Sequence, residues 1–187
     1  ADQLREKGVS ALKIFSFDTG CGDLMSTDLK PFDYESKREI LFLGRMVKEK
    51  GIFDLLEAFH SISKNRDDIR LVYVGDGRDK MQVVEKVNEL EINQKVKVLG
   101  LIPHSEINKV ISRAWVLVAP TQSNFPEGRC MTVMESLALG TPVIAPNSGP
   151  FPYLVKHDIN GQLYQQDSIS ELKTSIETVL NDTLVRR

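Results

Sequence analysis

From residue 40 onward, short apolar runs alternate with stretches whose apolar residues recur at helical spacing. The runs are ILFLG (40–44), IRLVYVG (69–75), KVKVLG (95–100), WVLVAP (115–120) and PVIA (142–145). Each is nearly continuous rather than alternating, as strands covered on both faces are. Between them, Ile52, Leu55, Leu56, Phe59 and Ile62 share one helical stripe. Met81, Val84, Val87 and Leu90 suggest a second, and Ile107, Val110, Ile111 and Ala114 a third. Thr132 to Leu139, closed by Gly140, has helix-forming composition, with Met131, Met134, Leu137 and Ala138 as its expected buried stripe. Ser168 and Glu171 fit a capping box that opens a last helix on Leu172, Ile176, Val179 and Leu180.

Strand then helix, repeated about five times, predicts an α/β domain: a Rossmann-like doubly wound parallel sheet with helices on both faces. Ligands of such folds sit beyond the carboxyl ends of the strands. Gly44, Gly75, Gly100 and Pro120 stand at those ends, either as plain turn residues or where backbone must approach something closely. Residues 40–187 are expected to form this domain. Residues 1–39 are less regular and read as a leading or interdomain segment, with ALKIFSF as a strand and DTGCGDLMSTDLKPFD as a surface loop.

Composition narrows the function classes. A chain of 187 residues is enough for one domain with a full core and short for two. A formal charge of -2 argues against a nucleic-acid partner. Cys21 and Cys130 form neither a disulfide framework nor a metal-ligand spacing, which favours a reducing, cytoplasmic setting. No apolar run approaches the roughly 20 residues of a membrane-spanning helix. The start at Ala1, without methionine or a signal-peptide pattern, suggests a piece of a longer protein.

Three segments carry candidate chemistry. In LGRMVKEKG (43–51), Arg45 and Lys50 stand between a strand end at Gly44 and a helix opening after Gly51. A planar guanidinium fork, a compact ammonium and free helix N–H groups suit a diphosphate. GDGRDK (75–80) invites a dinucleotide reading, but Lys80 occupies the third glycine position and the segment follows the second strand, so that reading is rejected. A tight turn against which a base lies remains open for it.

The third segment, EGRCMTVME (127–135), places Glu127 in a loop and Glu135 about one turn into a helix. The backbone between them, near Cys130 to Thr132, would turn its N–H groups toward a phosphate. Ionised carboxylates only accept hydrogen bonds, so the two acids suit hydroxyl-rich groups such as a ribose and a second polyol. Taken singly, each is equally well a surface glutamate.

Over about residues 38–181 the sequence resembles the carboxyl-terminal, nucleotide-binding half of GT-B glycosyltransferases, and especially the retaining family 4. The resemblance rests on FLGRMVKEKG, VYVGDG, VKVLGLIPHSEI and the stretch from APTQSNFPEGRC to INGQLY, with its Glu-x7-Glu spacing before a Gly-x-Pro-Val strand. It implies that Gly44, Arg45, Lys50, Cys130, Met131 and Thr132 surround the donor diphosphate. It also implies that Glu135 binds the ribose and Glu127 the donor sugar, and that the Leu101–Ser105 loop, including Ile102, contacts the base through its backbone; Gly75 is counted with the donor-binding residues. Arg45, Lys50 and Glu127 become the residues expected to act in catalysis.

Arg129 and Cys130 depart from the family's Glu-Gly-aromatic-Gly, and Pro150 and Tyr153 from its later Gly-Gly-x-Pro-Glu. The expected partners are a nucleoside diphosphate sugar and an amino-terminal acceptor domain absent from this chain, with peripheral membrane attachment of a parent protein left open. No cofactor is expected, and with no Asp-x-Asp present, no metal. Two other readings stay open: a non-catalytic binding module of the same fold, and a related epimerase or phosphorylase. His104 is expected to offer its backbone rather than its ring.

Overall fold

A computed structural model describes residues 37–181 of the chain. Six strands form one sheet: β1 (Arg38–Leu43), β2 (Ile69–Val74), β3 (Val96–Gly100), β4 (Val116–Val118), β5 (Val143–Pro146) and β6 (Gly161–Tyr164). Their order is β3-β2-β1-β4-β5-β6, every neighbouring pair parallel. The connecting helices are α1 (Ile52–Ser63), α2 (Lys80–Glu89), α3 (His104–Arg113), α4 (Met131–Ala138), α5 (Phe151–Leu154) and α6 (Ile169–Asn181), with a 3-10 turn at Lys48–Lys50. This is the doubly wound α/β fold that the apolar runs predict. The strand order reverses between β1 and β4, where such sheets open a crevice.

Two separate cores cover the two faces. Leu55, Phe59, Val83, Val87, Leu172 and Ile176 from α1, α2 and α6 pack on one side with Ile40, Leu71 and Tyr73 of the sheet. Ile111, Val133 and Phe151 from α3, α4 and α5 pack on the other with Leu41, Val72, Leu117 and Val143. Successive side chains of a strand point to opposite faces, so a strand buried on both sides must be apolar throughout. Three polar anchors fix the helices to the sheet. The buried Tyr73 hydroxyl donates to the Ile52 carbonyl at 2.7 Å. Trp115 Nε1 donates to Val179 at 3.1 Å, and Arg38 Nη1 donates to Leu180 at 2.6 Å.

Several sequence expectations are corrected. β3 is an edge strand with Lys97 and Leu99 exposed, not a strand covered on both faces. In α2 the buried positions are Val83 and Val87, whereas Met81 is exposed and Val84 and Leu90 are half-buried. In α4 they are Val133 and Ser136, while Met131 and Ala138 face solvent and Met134 and Leu137 are half-buried. β6 and the short α5 did not emerge from the pattern at all.

The capping box at α6 is half realised. Ser168 Oγ accepts from the Glu171 N–H at 3.2 Å, but the Glu171 carboxylate accepts from the Gln165 N–H at 2.7 Å instead of closing back on Ser168. The expected strand ALKIFSF and its following loop lie outside the described residues. No helix among the described residues is long and apolar enough to cross a membrane.

Candidate functional site

The site forms where the loops after β1, β2 and β4 are stitched together. The Met46 N–H donates to the Asp76 carbonyl at 2.8 Å, and the Asp79 N–H donates back to the Met46 carbonyl at 3.2 Å. Asp79 Oδ2 accepts from the Lys48 N–H at 2.7 Å, satisfying a donor at the start of the 3-10 turn. Across the switch point, the Gln122 N–H donates to the Glu49 carbonyl at 3.0 Å, and Gln122 Nε2 donates to Asp54 Oδ2 at 2.8 Å.

GDGRDK thus has a structural role. A Cβ on Gly75 would lie 1.8 Å from the Gly44 carbonyl oxygen, and one on Gly77 2.3 Å from that of Met46. The segment is glycine-rich because the β1 loop lies directly on it, and Asp79 then fastens that loop. Asp79→Ala removes the acceptor for Lys48 and is expected to cost about 1–2 kcal/mol, with a fall in unfolding midpoint seen by calorimetry and recovered by Asp79→Asn.

Two cavities adjoin at the carboxyl ends of β1 and β4. The smaller, ≈ 150 Å³, is lined by Lys50, Thr121, Glu127, Cys130 and Met131. The larger, ≈ 350 Å³, is lined by Arg45, Gly75, Ile102 and Glu135, with Asp76 and Leu101 at its edge. Leu43, Gly44 and Thr132 line both. All ten residues expected to bind the donor thus line one or the other of these two cavities, Glu127 the smaller and Glu135 the larger.

Its electrostatics differ from the sequence picture in one respect. Lys50 Nζ is bonded directly to Glu127 Oε2, and Thr121 Oγ1 donates to the same oxygen at 3.3 Å. The lysine and glutamate side chains are 19% and 13% exposed, so this pair is largely shielded from water. Phe125, which the sequence reading passed over, supports both cations. Lys50 Nζ lies 4.6 Å from its ring centroid and the Arg45 guanidinium carbon 5.9 Å. An aromatic three residues after Gln122 in a loop carries no periodic signal, which is why it was missed. Thr121 was missed for the same reason.

Helix α4 begins at Met131, its N-cap Cys130 has no side-chain capping bond, and Cys130, Met131 and Thr132 line the smaller cavity. Cys130 sits at φ -90, outside the left-handed region that favours glycine, so a cysteine can stand where the family has one. Its thiol is buried, and burial followed by the nearby Glu127 charge pushes its pKa up to about 12, with Lys50 opposing. It stays a neutral S–H at physiological pH. Arg129 is exposed at the rim of the smaller cavity, and Tyr153 is exposed on α5.

Glu135 is half-buried on the face of α4 that looks into the larger cavity. Burial raises its pKa, and His104 at the start of α3 lowers it. Among the described residues no group of three His, Cys, Asp or Glu side chains is arranged to hold a metal ion.

This architecture matches known proteins. The pattern of the family described as Glycosyl transferases group 1 covers residues 28–187, and the chain belongs to that family. It is 33% identical over 130 residues to the alpha-monoglucosyldiacylglycerol synthase of Streptococcus pneumoniae, covering 70% of this chain and 29% of that protein. It is 28% identical over 148 residues to an uncharacterized glycosyltransferase of Methanocaldococcus jannaschii, covering 79% and 37%. The chain therefore spans about a third of the length of these relatives. Among solved structures, the Anabaena HepE protein in complex with UDP and glucose superposes with a TM-score of 0.69 at 23% identity, over 81% of this chain and 40% of that one. The fold is that of the C-terminal domain of a GT-B glycosyltransferase.

Proposed function

We propose that this chain is the donor-binding domain of a retaining glycosyltransferase that moves a hexose from a nucleoside diphosphate sugar to an acceptor. The observation that carries this reading is the pair of adjoining cavities that share Gly44 and Thr132, one lined by Lys50, Glu127 and the start of α4, the other by Arg45 and Glu135. The UDP-bound state of the HepE relative supports it by analogy of fold.

In this reading the diphosphate lies over Gly44 and Thr132, held by Arg45, Lys50 and the first N–H groups of α4. The nucleoside occupies the larger cavity, with its ribose hydroxyls donating to Glu135 and its base against Ile102 and Gly75. The sugar enters the smaller cavity beside Glu127. As the bond from the sugar's anomeric carbon to the diphosphate breaks, negative charge grows on the departing phosphate oxygen. Arg45, Lys50 and the α4 dipole are fixed in place to meet that charge, which is where preorganised donors lower a barrier most. These cations do the neutralising, and the reading needs no metal. The acceptor hydroxyl would be supplied from an amino-terminal domain facing this one, inside the cytoplasm or at its membrane surface.

Titration calorimetry of the 187-residue chain with uridine, guanosine and adenosine diphosphates tests the reading. Uptake of at least one of them is expected, without transfer of the matching sugar to an acceptor. A chain that takes up none is a binding module of another kind. Sustained transfer by the chain alone would show that it carries its own acceptor site.

A further inference from the structure

Lys50 has two claimants. Its ammonium is engaged by Glu127, in a pair largely removed from water. A diphosphate at the mouth of α4 needs the same ammonium. If Lys50 turns to the phosphate, the Glu127 carboxylate keeps, among the described residues, only the Thr121 hydroxyl as donor, at 3.3 Å. A shielded carboxylate stripped of its cation is left under-bonded, and that penalty is set against the binding of whatever removed the lysine. Sugar hydroxyls entering the smaller cavity can donate to Glu127 and cancel the penalty. A free nucleoside diphosphate brings no such donor.

We propose that Glu127 is a specificity-determining residue that makes the site prefer the intact sugar donor over the spent nucleoside diphosphate, by competing with the diphosphate for Lys50 and releasing it only when sugar hydroxyls take its place. The proposal rests on the donor-binding reading above. It gives Glu127 a second effect beyond contact with the sugar: it helps to eject the product. Phe125 fits this exchange, because its ring offers the ammonium a favourable surface between the two partners.

The test compares dissociation constants for a free nucleoside diphosphate and for its sugar, using whichever of uridine, guanosine or adenosine diphosphate the wild-type chain binds best. For the sugars, the glucose, galactose, mannose and N-acetylglucosamine conjugates of that nucleotide are scanned. The wild type is expected to bind at least one sugar conjugate more tightly than the free diphosphate. In Glu127→Gln the free diphosphate should bind about tenfold more tightly, while the sugar conjugate gains nothing or weakens, so that the preference disappears.

If free and conjugated forms tighten equally, the carboxylate acts only as a repulsive charge, and the competition is overturned. A free diphosphate that binds Glu127→Gln no better than wild type overturns it too, as does a wild type with no preference for any conjugate. Glu127→Asp, which keeps the charge but shortens the reach to Lys50, should shift the free diphosphate the same way by a smaller factor. It supplies the reading if the glutamine variant does not fold. Absence of any nucleotide binding by the wild type would instead remove the donor-binding reading itself, so the two failures are distinct.

Discussion

Gly51→Ala is expected to lower the unfolding midpoint by about 10 °C. Gly51 sits at φ +70, a left-handed conformation that costs a residue with a Cβ about 1–2 kcal/mol. The added carbon would also lie 1.9 Å from the Pro120 carbonyl oxygen, a backbone atom that no side-chain rotation can clear. Overpacking of that kind typically adds about 1–3 kcal/mol. A total near 3 kcal/mol, at roughly 2–4 °C per kcal/mol for a domain this size, gives the stated shift.

The position also links stability to function. Gly51 follows Lys50, and Pro120 precedes Thr121, so the methyl would push apart the loops that deliver Lys50 and Glu127 to each other. Thermal melts by circular dichroism read the shift. Gly128→Ala is the control: its Cβ would meet nothing within 4 Å, and its midpoint should stay within about 2 °C of wild type.

The contrast between these glycines shows what the sequence made legible. Gly44, Gly51 and Gly75 look alike in a string of letters, and the position of each at a strand end or helix start was visible. What each one touches was not, because the touching backbone comes from another crossover. The strands could be read because burial on two faces demands continuous apolar runs, as in VIAP of β5. β6 escaped because its four residues include Gly161 and Gln162, both buried, where backbone approach and a hydrogen bond replace apolar bulk. A Cβ at Gly161 would meet the Val143 carbonyl at 1.9 Å, and Gln162 Nε2 donates to Asp158 at 2.7 Å.

Helix α4 was assigned the wrong buried face for a related reason. In an eight-residue helix with six apolar or small positions, more than one stripe satisfies a 3.6-residue period. The phase is fixed by Val133 meeting the sheet, which turns Glu135 toward the cavity. The placement of the two glutamates was legible from their spacing. The pairing of one of them with Lys50 was not, since those residues are 77 positions apart.

Lys50→Ala combined with Glu135→Gln is expected to weaken nucleoside diphosphate binding by about a thousandfold. A charge-assisted hydrogen bond contributes about 1.5–3 kcal/mol, and each 1.4 kcal/mol is tenfold in affinity. Lys50→Ala alone should therefore cost about 30-fold, reduced somewhat by the Glu127 partner it also loses, and Glu135→Gln a similar factor. The two side chains line different cavities, so their losses should add in free energy. A double variant no weaker than either single one would mean that one of the two never meets the nucleotide.

Glu135 adds a signature in pH. Burial holds its pKa above that of an ordinary glutamate, so the folded protein retains this proton more strongly than the unfolded chain does. Its contribution to stability is present below the unfolded pKa and is lost as pH rises through the folded one. Binding runs the other way, because ribose hydroxyls donate to the ionised carboxylate, and affinity should climb through that same window. Glu135→Gln should thus raise the unfolding midpoint at neutral pH while it flattens the pH dependence of binding. Calorimetric titrations from pH 4.5 to 7.5 on wild type and variant, read as a difference so that phosphate protonation cancels, decide it. Parallel curves for the two proteins would remove Glu135 from the ribose site.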